Sequence, residues 1–494
     1  MKHDSVALTG HKYHAFDAHY RMYNWFYPLD TDFYRDHKDA TKTTDIQSAS
    51  KLINSDAIET RALYFHIPFC DTMCSFCPFI KGGYQHVSEI GAYVEALLKE
   101  IHLKAQVAEV TAVPVNSIFF GGGTPSVLSP VQIQRIGQAI ADHFDLSRLQ
   151  EFSFEVEAKS INDERADALR SIGVTHGRFG FQTFDETYRK LFTLTASVDQ
   201  CLQAASTLMK HLPNVSFDIL YGMDGQTFDH LGRDLELATS VGTNNIDVYP
   251  VNNVVTQLEL HRGYRAHDFE PLPASKKLAM RRFADDVMRT NGFLPHNGHG
   301  YVRSLRSDDW NIVTTDDYRF HYHDSVYGYE SSDIIGFGSS AVSLTRNAIT
   351  TNVLSRKRYT KELLHDGMVP VGVRVPESYE YPTRPINGCL PYHGAIEKKR
   401  VSWSQVHPEA LERLAACVDA GLVAEDATHY RLTRTGWLWY ANLMYYLTRS
   451  AERRLLDDYV SDRLRQDDRL DGDPSIAAFA PTAPDKFEGV EPLE

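Results

Sequence analysis

Six short runs rich in β-branched and aromatic residues recur between residues 62 and 251: "ALYFHI" (62–67), "VNSIFFGG" (115–122), "FSFEVE" (152–157), "GRFGFQ" (177–182), "VSFDILYG" (215–222) and "NIDVYPV" (245–251). Amphipathic stretches such as "YVEALLKEIHLKAQV" and "DERADALRSIG" lie between them, the second ending in a glycine suited to the C′ position of a helix. Strands that alternate with helices demand right-handed crossovers and a parallel sheet. The pattern therefore predicts an α/β fold, a partial, TIM-like (β/α)6 barrel. In parallel barrels functional groups collect at the C-terminal ends of the strands and in the loops that follow.

The loop after the first run, "FHIPFCDTMCSFCPF" (65–79), holds Cys70, Cys74 and Cys77, half of the six cysteines in the chain. Disulfide pairing would leave one thiol over, and so tight a loop suits convergence on one centre better than cross-linking. Structural zinc would need a fourth ligand, for which His66 and His86 are near in sequence. A [4Fe–4S] cluster held by three thiolates, with its fourth iron open to a ligand, is the other reading. Cys201, Cys389 and Cys417 stand alone and read as buried, small apolar side chains.

The second run leads straight into "GGGTPS" (121–126). Glycines there let backbone approach a ligand closely, although a plain strand-to-helix turn would use them too. The Lys-Ser/Thr ending of a phosphate-binding loop is missing. Polar residues interrupt three other runs: Glu155, Gln182 and Asp218. A buried carboxylate or amide in a parallel strand is costly unless paired. One such placement can be structural; three on three strands point to a shared polar ligand.

A chain of 494 residues has room for one large catalytic domain and a smaller one. Its net charge of -14, with no long basic block, disfavours nucleic acid as a partner. No apolar run approaches the ~18 residues of a membrane span. The start, "MKHDSVALTG", lacks the apolar stretch of a secretory leader, so a cytoplasmic location is expected. Clustered cysteines in a reducing compartment bind metal or do chemistry.

The spacing Cys70-x3-Cys74-x2-Cys77, with the aromatic Phe76 before the last cysteine, resembles the signature of radical S-adenosylmethionine (SAM) enzymes. The preceding "YFHIPFC" is similar to the HemN-like branch, named for oxygen-independent coproporphyrinogen III oxidase. The resemblance implies a [4Fe–4S] cluster on Cys70, Cys74 and Cys77, and SAM cleaved reductively to a 5′-deoxyadenosyl radical. It implies SAM contacts from Tyr64, Phe76, Gly122, Gly123, Thr124, Glu155, Gln182 and Asp218. A second SAM is expected near Gly336, Gly338 and Ser339. Where coproporphyrinogen oxidases place an arginine some twelve residues after the glutamine, this chain has Leu194, and "CPF" stands where they have "CGC". These departures favour, among HemN-like activities, a class C methyltransferase or cyclopropanase that transfers a one-carbon unit to an sp2 carbon. The alternatives are a tetrapyrrole enzyme (coproporphyrinogen III decarboxylation or anaerobic haem opening) and a non-catalytic haem-trafficking protein. The expected partners are an aromatic, heterocyclic or tetrapyrrole small molecule and an electron donor such as flavodoxin or ferredoxin.

The remaining chain divides by composition. Residues 1–60, rich in Tyr, His and Asp, read as an arm or lid, and 61–375 as the barrel with an extension. Residues 376–465 resemble the small winged-helix-like C-terminal domain of the family, and 466–494 read as a mobile tail. Within the extension, "HNGHGYVR" and "YRFHYHDSVYGYESSDIIGFGSSA" crowd His296, His299, His321 and His323 around a Gly-rich turn; surface polarity is the expected account of these histidines.

Overall fold

The computed structural model describes residues 25, 27–29, 43–77, 79, 81–251, 258–270, 272, 274–306, 309–317, 319–366 and 371–465. The 466–494 tail and most of the N-terminal arm lie outside the described residues. All six expected strands form: β1 (Thr60–Ile67), β2 (Val115–Gly122), β3 (Glu151–Val156), β4 (His176–Gln182), β5 (Asn214–Tyr221) and β6 (Asn245–Pro250). Each runs parallel to the next. Helices α1 (Val87–Ala105), α2 (Pro130–His143), α3 (Asp163–Ser171), α4 (Val198–His211), α5 (Phe228–Ser240) and α6 (Ala274–Thr290) follow them in turn. Helix α3 stops at Gly173, whose φ of 88° lets its N–H reach Arg170 O while Val174 N–H reaches Leu169 O, the doubly bonded ending anticipated from the glycine.

Register gives the sheet two unlike faces. Leu63, Phe65, Ile118, Phe120, Phe152, Phe154, Phe217 and Ile246 share one face and form a continuous apolar core with Leu97 and Ile101 of α1, Ile136 of α2 and Leu235 of α5. Tyr64, Phe119, Glu155, Arg178, Asp218 and Asp247 share the other, the inside of the barrel. Parallel strands are ordinarily apolar on both faces, and barrel interiors are filled with branched apolar side chains. Here the interior is polar, and that is where the site lies.

A seventh parallel strand, β7 (Ser332–Phe337), pairs with β1 on the side away from β2. The sequence reading had placed a Gly-rich turn there. Phe337 joins the apolar face, its ring 4.8 Å from Phe65. The open sheet continues antiparallel at both edges, reaching thirteen strands among the described residues. Helix α7 (His321–Val326) closes the N-terminal end of the interior: Tyr322 stacks on Tyr64 and Phe119, and its N–H donates to Glu151.

Residues 376–465 run as helix α8 (Pro408–Asp419), a hairpin of Val423–Glu425 with His429–Leu432, then further helices, and Ala395–Glu397 adds a third strand. This segment shares the barrel's core: Leu414 and Trp437 belong to the same apolar cluster, and Trp437 Nε1 donates to Asn297 O at 3.0 Å. Of the N-terminal arm, Trp25, Tyr27 and Leu29 are buried against Tyr392, Tyr440 and Met444.

Strands β1 and β7 are clamped by an ion pair without solvent contact. Arg61 donates to both oxygens of Asp333, Nη2 at 2.6 Å and Nε at 2.9 Å, and its Nη1 bonds Glu109 O and Val110 O. Removing one partner strands the other charge, which typically costs about 3–5 kcal/mol. Asp333→Ala is therefore expected to lower unfolding free energy by about that much, measured by denaturant titration; a loss within experimental error would show that the clamp is dispensable.

Candidate active site

The cysteine loop leaves the C-terminal end of β1 and folds back on itself through Cys70 N–H to Gly82 O and Gly82 N–H to Pro68 O. Cys70 is buried, whereas Cys74 and Cys77 are half-exposed. Burial, aided by the neighbouring Cys77, pushes the Cys70 thiol up to about 11 and the Cys74 thiol up to about 12. Thiols so placed become ligands when a cation offsets their desolvation. Among the described residues no three His, Cys, Asp or Glu converge on a single metal ion. A cluster of four irons takes each thiolate on a different iron, so it fits three cysteines at these spacings and leaves one iron open. Ser75, inside the loop, is fixed by its N–H to Phe192 O and its hydroxyl to Leu191 O. Phe76 lies on the outer wall, its ring 4.9 Å from Phe192, in an apolar cluster that also holds Leu194.

The glycine loop is tied to the cysteine loop by backbone. Gly123 N–H donates to Ile67 O at 2.9 Å and Thr124 N–H to Phe69 O at 2.7 Å, while the Thr124 hydroxyl reaches Cys70 Sγ at 3.4 Å. A Cβ at Gly123 would come within 2.6 Å of Phe69 O. Gly122 has φ 105°, and a Cβ there would lie 2.4 Å from the His66 ring. These glycines are thus required for close packing of two loops, and the Gly123 and Thr124 N–H groups are engaged.

Inside the barrel, the Tyr64 hydroxyl bonds His66 Nδ1 at 2.9 Å. Glu155 is pushed up to about 7 by burial, partly offset by the nearby Arg178. Asp218 faces Asp247 across the β5–β6 ladder, and burial and that second carboxylate raise it well above the usual range. Arg178 is ion-paired with Asp247 and lies over the Phe320 ring at 4.2 Å. Gln182 ends β4 at φ 74°, and its buried Oε1 meets no donor among the described residues. Tyr64, Gly122, Glu155 and Asp218 thus gather around one polar interior beside the cysteine loop, with the Gln182 amide at its rim. Arg178 and Asp247 were missed from sequence although both stand in the quoted runs as charged residues that interrupt apolar stretches.

Gly336, Gly338 and Ser339 back this site from the β7 side. The Gly336, Gly338 and Ser339 N–H groups donate to Ser343 hydroxyl, Glu100 and Tyr93 hydroxyl respectively, and a Cβ at Gly338 would meet His66 O at 2.5 Å. The Ser339 hydroxyl is buried and meets no partner among the described residues. Of the four histidines expected at the surface, two lie inside, and His321 and His323 are half-buried. His296 and His299 are buried, and desolvation holds His296, His299 and His323 well below their ordinary range, as neutral imidazoles. Tyr392 hydroxyl links His299 Nε2, at 3.2 Å, to His323 Nδ1, and the His299 ring lies 3.9 Å from Tyr249 on β6. Cys201, Cys389 and Cys417 are buried, as expected.

The model of the radical SAM superfamily matches residues 64–238. Anaerobilin synthase of Escherichia coli O157:H7 is 26% identical over 405 residues, 81% of this chain and 86% of that protein. Heme chaperone HemW of Lactococcus lactis is 30% identical over 232 residues, 47% of this chain and 59% of its own length. Oxygen-independent coproporphyrinogen III oxidase of Escherichia coli K12 is 25% identical over 315 residues, 62% of this chain and 66% of that enzyme. Among solved structures, the coproporphyrinogen III oxidase HemN of Escherichia coli, described as a radical SAM enzyme, shares the fold with a TM-score of 0.68 at 20% identity, covering 85% of this chain and 96% of that one. None of these relatives is named a methyltransferase or cyclopropanase, so the expectation of one-carbon transfer is not supported.

The glycine loop yields a test of the packing. Gly122→Ala forces a Cβ into the His66 imidazole and should lower stability by about 1–3 kcal/mol. In a His66→Ala background the same change should cost at least about 0.5 kcal/mol less, the coupling expected of residues in contact. Urea unfolding of the four proteins reads the cycle, and strictly additive losses would show that the two do not meet.

Proposed function

The chain belongs to the HemN-like radical SAM proteins, and on that premise we propose that it acts on a tetrapyrrole. Its cofactors are a [4Fe–4S] cluster and SAM. When bound, they supply an electron to SAM and, from it, a 5′-deoxyadenosyl radical able to abstract hydrogen. Cys70, Cys74 and Cys77 would hold the cluster. Thr124, Glu155, Gln182 and Asp218 would hold SAM, with Tyr64 at the edge of the same cavity and Phe76 as its apolar wall. A second SAM, expected near Gly336, Gly338 and Ser339, would find the Ser339 hydroxyl open there rather than backbone N–H groups. Helix α7 and its ring stack would keep water from the N-terminal end of the interior.

The observation that carries the tetrapyrrole reading is the match to anaerobilin synthase over most of both chains. The interior agrees with it. Its walls are flat rings, Tyr64, Phe119, Tyr249, His299 and Tyr322, suited to a large planar substrate. Glu151, Glu155, Asp218 and Asp247 line it, and Arg178 is paired with one of them. Such a cavity suits haem, with two carboxylates, better than coproporphyrinogen III, with four. An electron donor such as flavodoxin or ferredoxin would complete the reaction.

Anaerobically reconstituted protein should bind about four irons per chain, and the Cys70→Ala/Cys74→Ala/Cys77→Ala variant should lose them with the brown chromophore. With SAM and dithionite, haem should lose its Soret band as 5′-deoxyadenosine forms, while coproporphyrinogen III persists. Consumption of coproporphyrinogen III instead would assign decarboxylation, haem binding without SAM cleavage would assign trafficking, and turnover of neither would overturn the tetrapyrrole reading.

A further inference from the structure

SAM carries an α-carboxylate, and in a site lined by Glu155 and Asp218 that carboxylate needs a cation to face it. Most cations around the cysteine loop are committed elsewhere. Lys81 donates to Cys77 O. Arg189 is buried against the carbonyls of Phe181, Thr183 and Ala196, the half-buried Arg356 donates to those of Pro68, Gly82 and Gly83, and Arg178 pairs with Asp247. Position 194 offers no charge, for Leu194 packs in the apolar cluster with Phe76.

Lys159 is differently placed. It stands on the turn directly after β3, beyond Glu155, and its Nζ lies where the loops after β1, β3 and β4 meet. It is 3.4 Å from Thr72 Oγ1 in the cysteine loop and 3.2 Å from Thr195 Oγ1, the residue after Leu194. Glu157 Oε1 at 3.1 Å and Asp71 at 3.9 Å hold it, and its side chain is 25% exposed. Two of its partners are rotatable hydroxyls, which an incoming carboxylate can displace without leaving a buried charge unpaired.

We infer that Lys159 supplies the positive charge facing the SAM carboxylate, with Glu157 and Asp71 orienting its ammonium. The inference rests on the reading that this loop cluster binds SAM, and the two can fail separately. Because the contact is to the carboxylate alone, it predicts discrimination by one functional group. The reconstituted protein should bind SAM more tightly than decarboxylated SAM. Lys159→Met should weaken SAM binding by about tenfold to a hundredfold, the usual worth of a charge-assisted contact, and leave decarboxylated SAM unaffected. Leu194→Arg in that background should restore part of the preference.

Equilibrium dialysis of full-length protein, with iron content measured alongside, tests this. Lys159→Gln carries the same expectation should the Met variant lose iron. Unchanged binding of both ligands, or equal loss of both, would overturn the role of Lys159 while leaving the SAM site standing. An iron-replete wild type that binds neither ligand would overturn both.

Discussion

The chain depends on the register of its parallel strands. Side chains alternate with period two, so a one-residue slip between β3 and β4 would carry Glu155 or Arg178 under the helices and turn Phe154 or Phe179 inward. Burying an unpaired carboxylate or guanidinium against α1–α5 would cost several kcal/mol per ion. Apolar burial outside and charge inside therefore select the same register. The penalty for error falls on the groups that line the cavity, so the chemistry of the site helps to specify its own scaffold.

Inside, burial shifts the acids toward their protonated forms while one ion pair, Arg178 with Asp247, stays among them. Glu151 and Glu155 are both held near 7 by burial, Asp218 is held high by burial and Asp247, and Arg178 is the cation they face. The imidazoles of His296, His299 and His323 stay neutral for the complementary reason.

What could be read from sequence follows what is local. Six strands were legible because each is a compact run of β-branched and aromatic residues, and the Gly173 ending because one residue type decides it. β7 escaped because "SDIIGF" is short, carries Gly336 and sits among Gly and Ser; its strand character comes from lying beside β1, which no window reveals. The buried histidines escaped because imidazole is polar by composition and neutral only by burial. The position of Lys159 is set by three loops far apart in sequence. Glu155, Gln182 and Asp218 were legible because they break apolar runs, and Arg178 and Asp247 were available by the same rule.

The strand bearing the cysteines has a long-range debt of position. β1 pairs with β7, and the Arg61–Asp333 clamp spans 272 positions. At about 5–20 residues per second of synthesis, the chain therefore carries its thiol loop for roughly 15–55 seconds before the second flank of β1 exists. During that interval Arg61 has no acid to meet, the Gly338 turn is not there to back His66, and the loop after β1 hangs from a strand supported on one side only. Insertion of iron and sulfide into a nascent chain would thus meet a half-built socket. Maturation belongs after the ribosome has passed the second half of the barrel, which makes cluster assembly in this protein a late event by geometry.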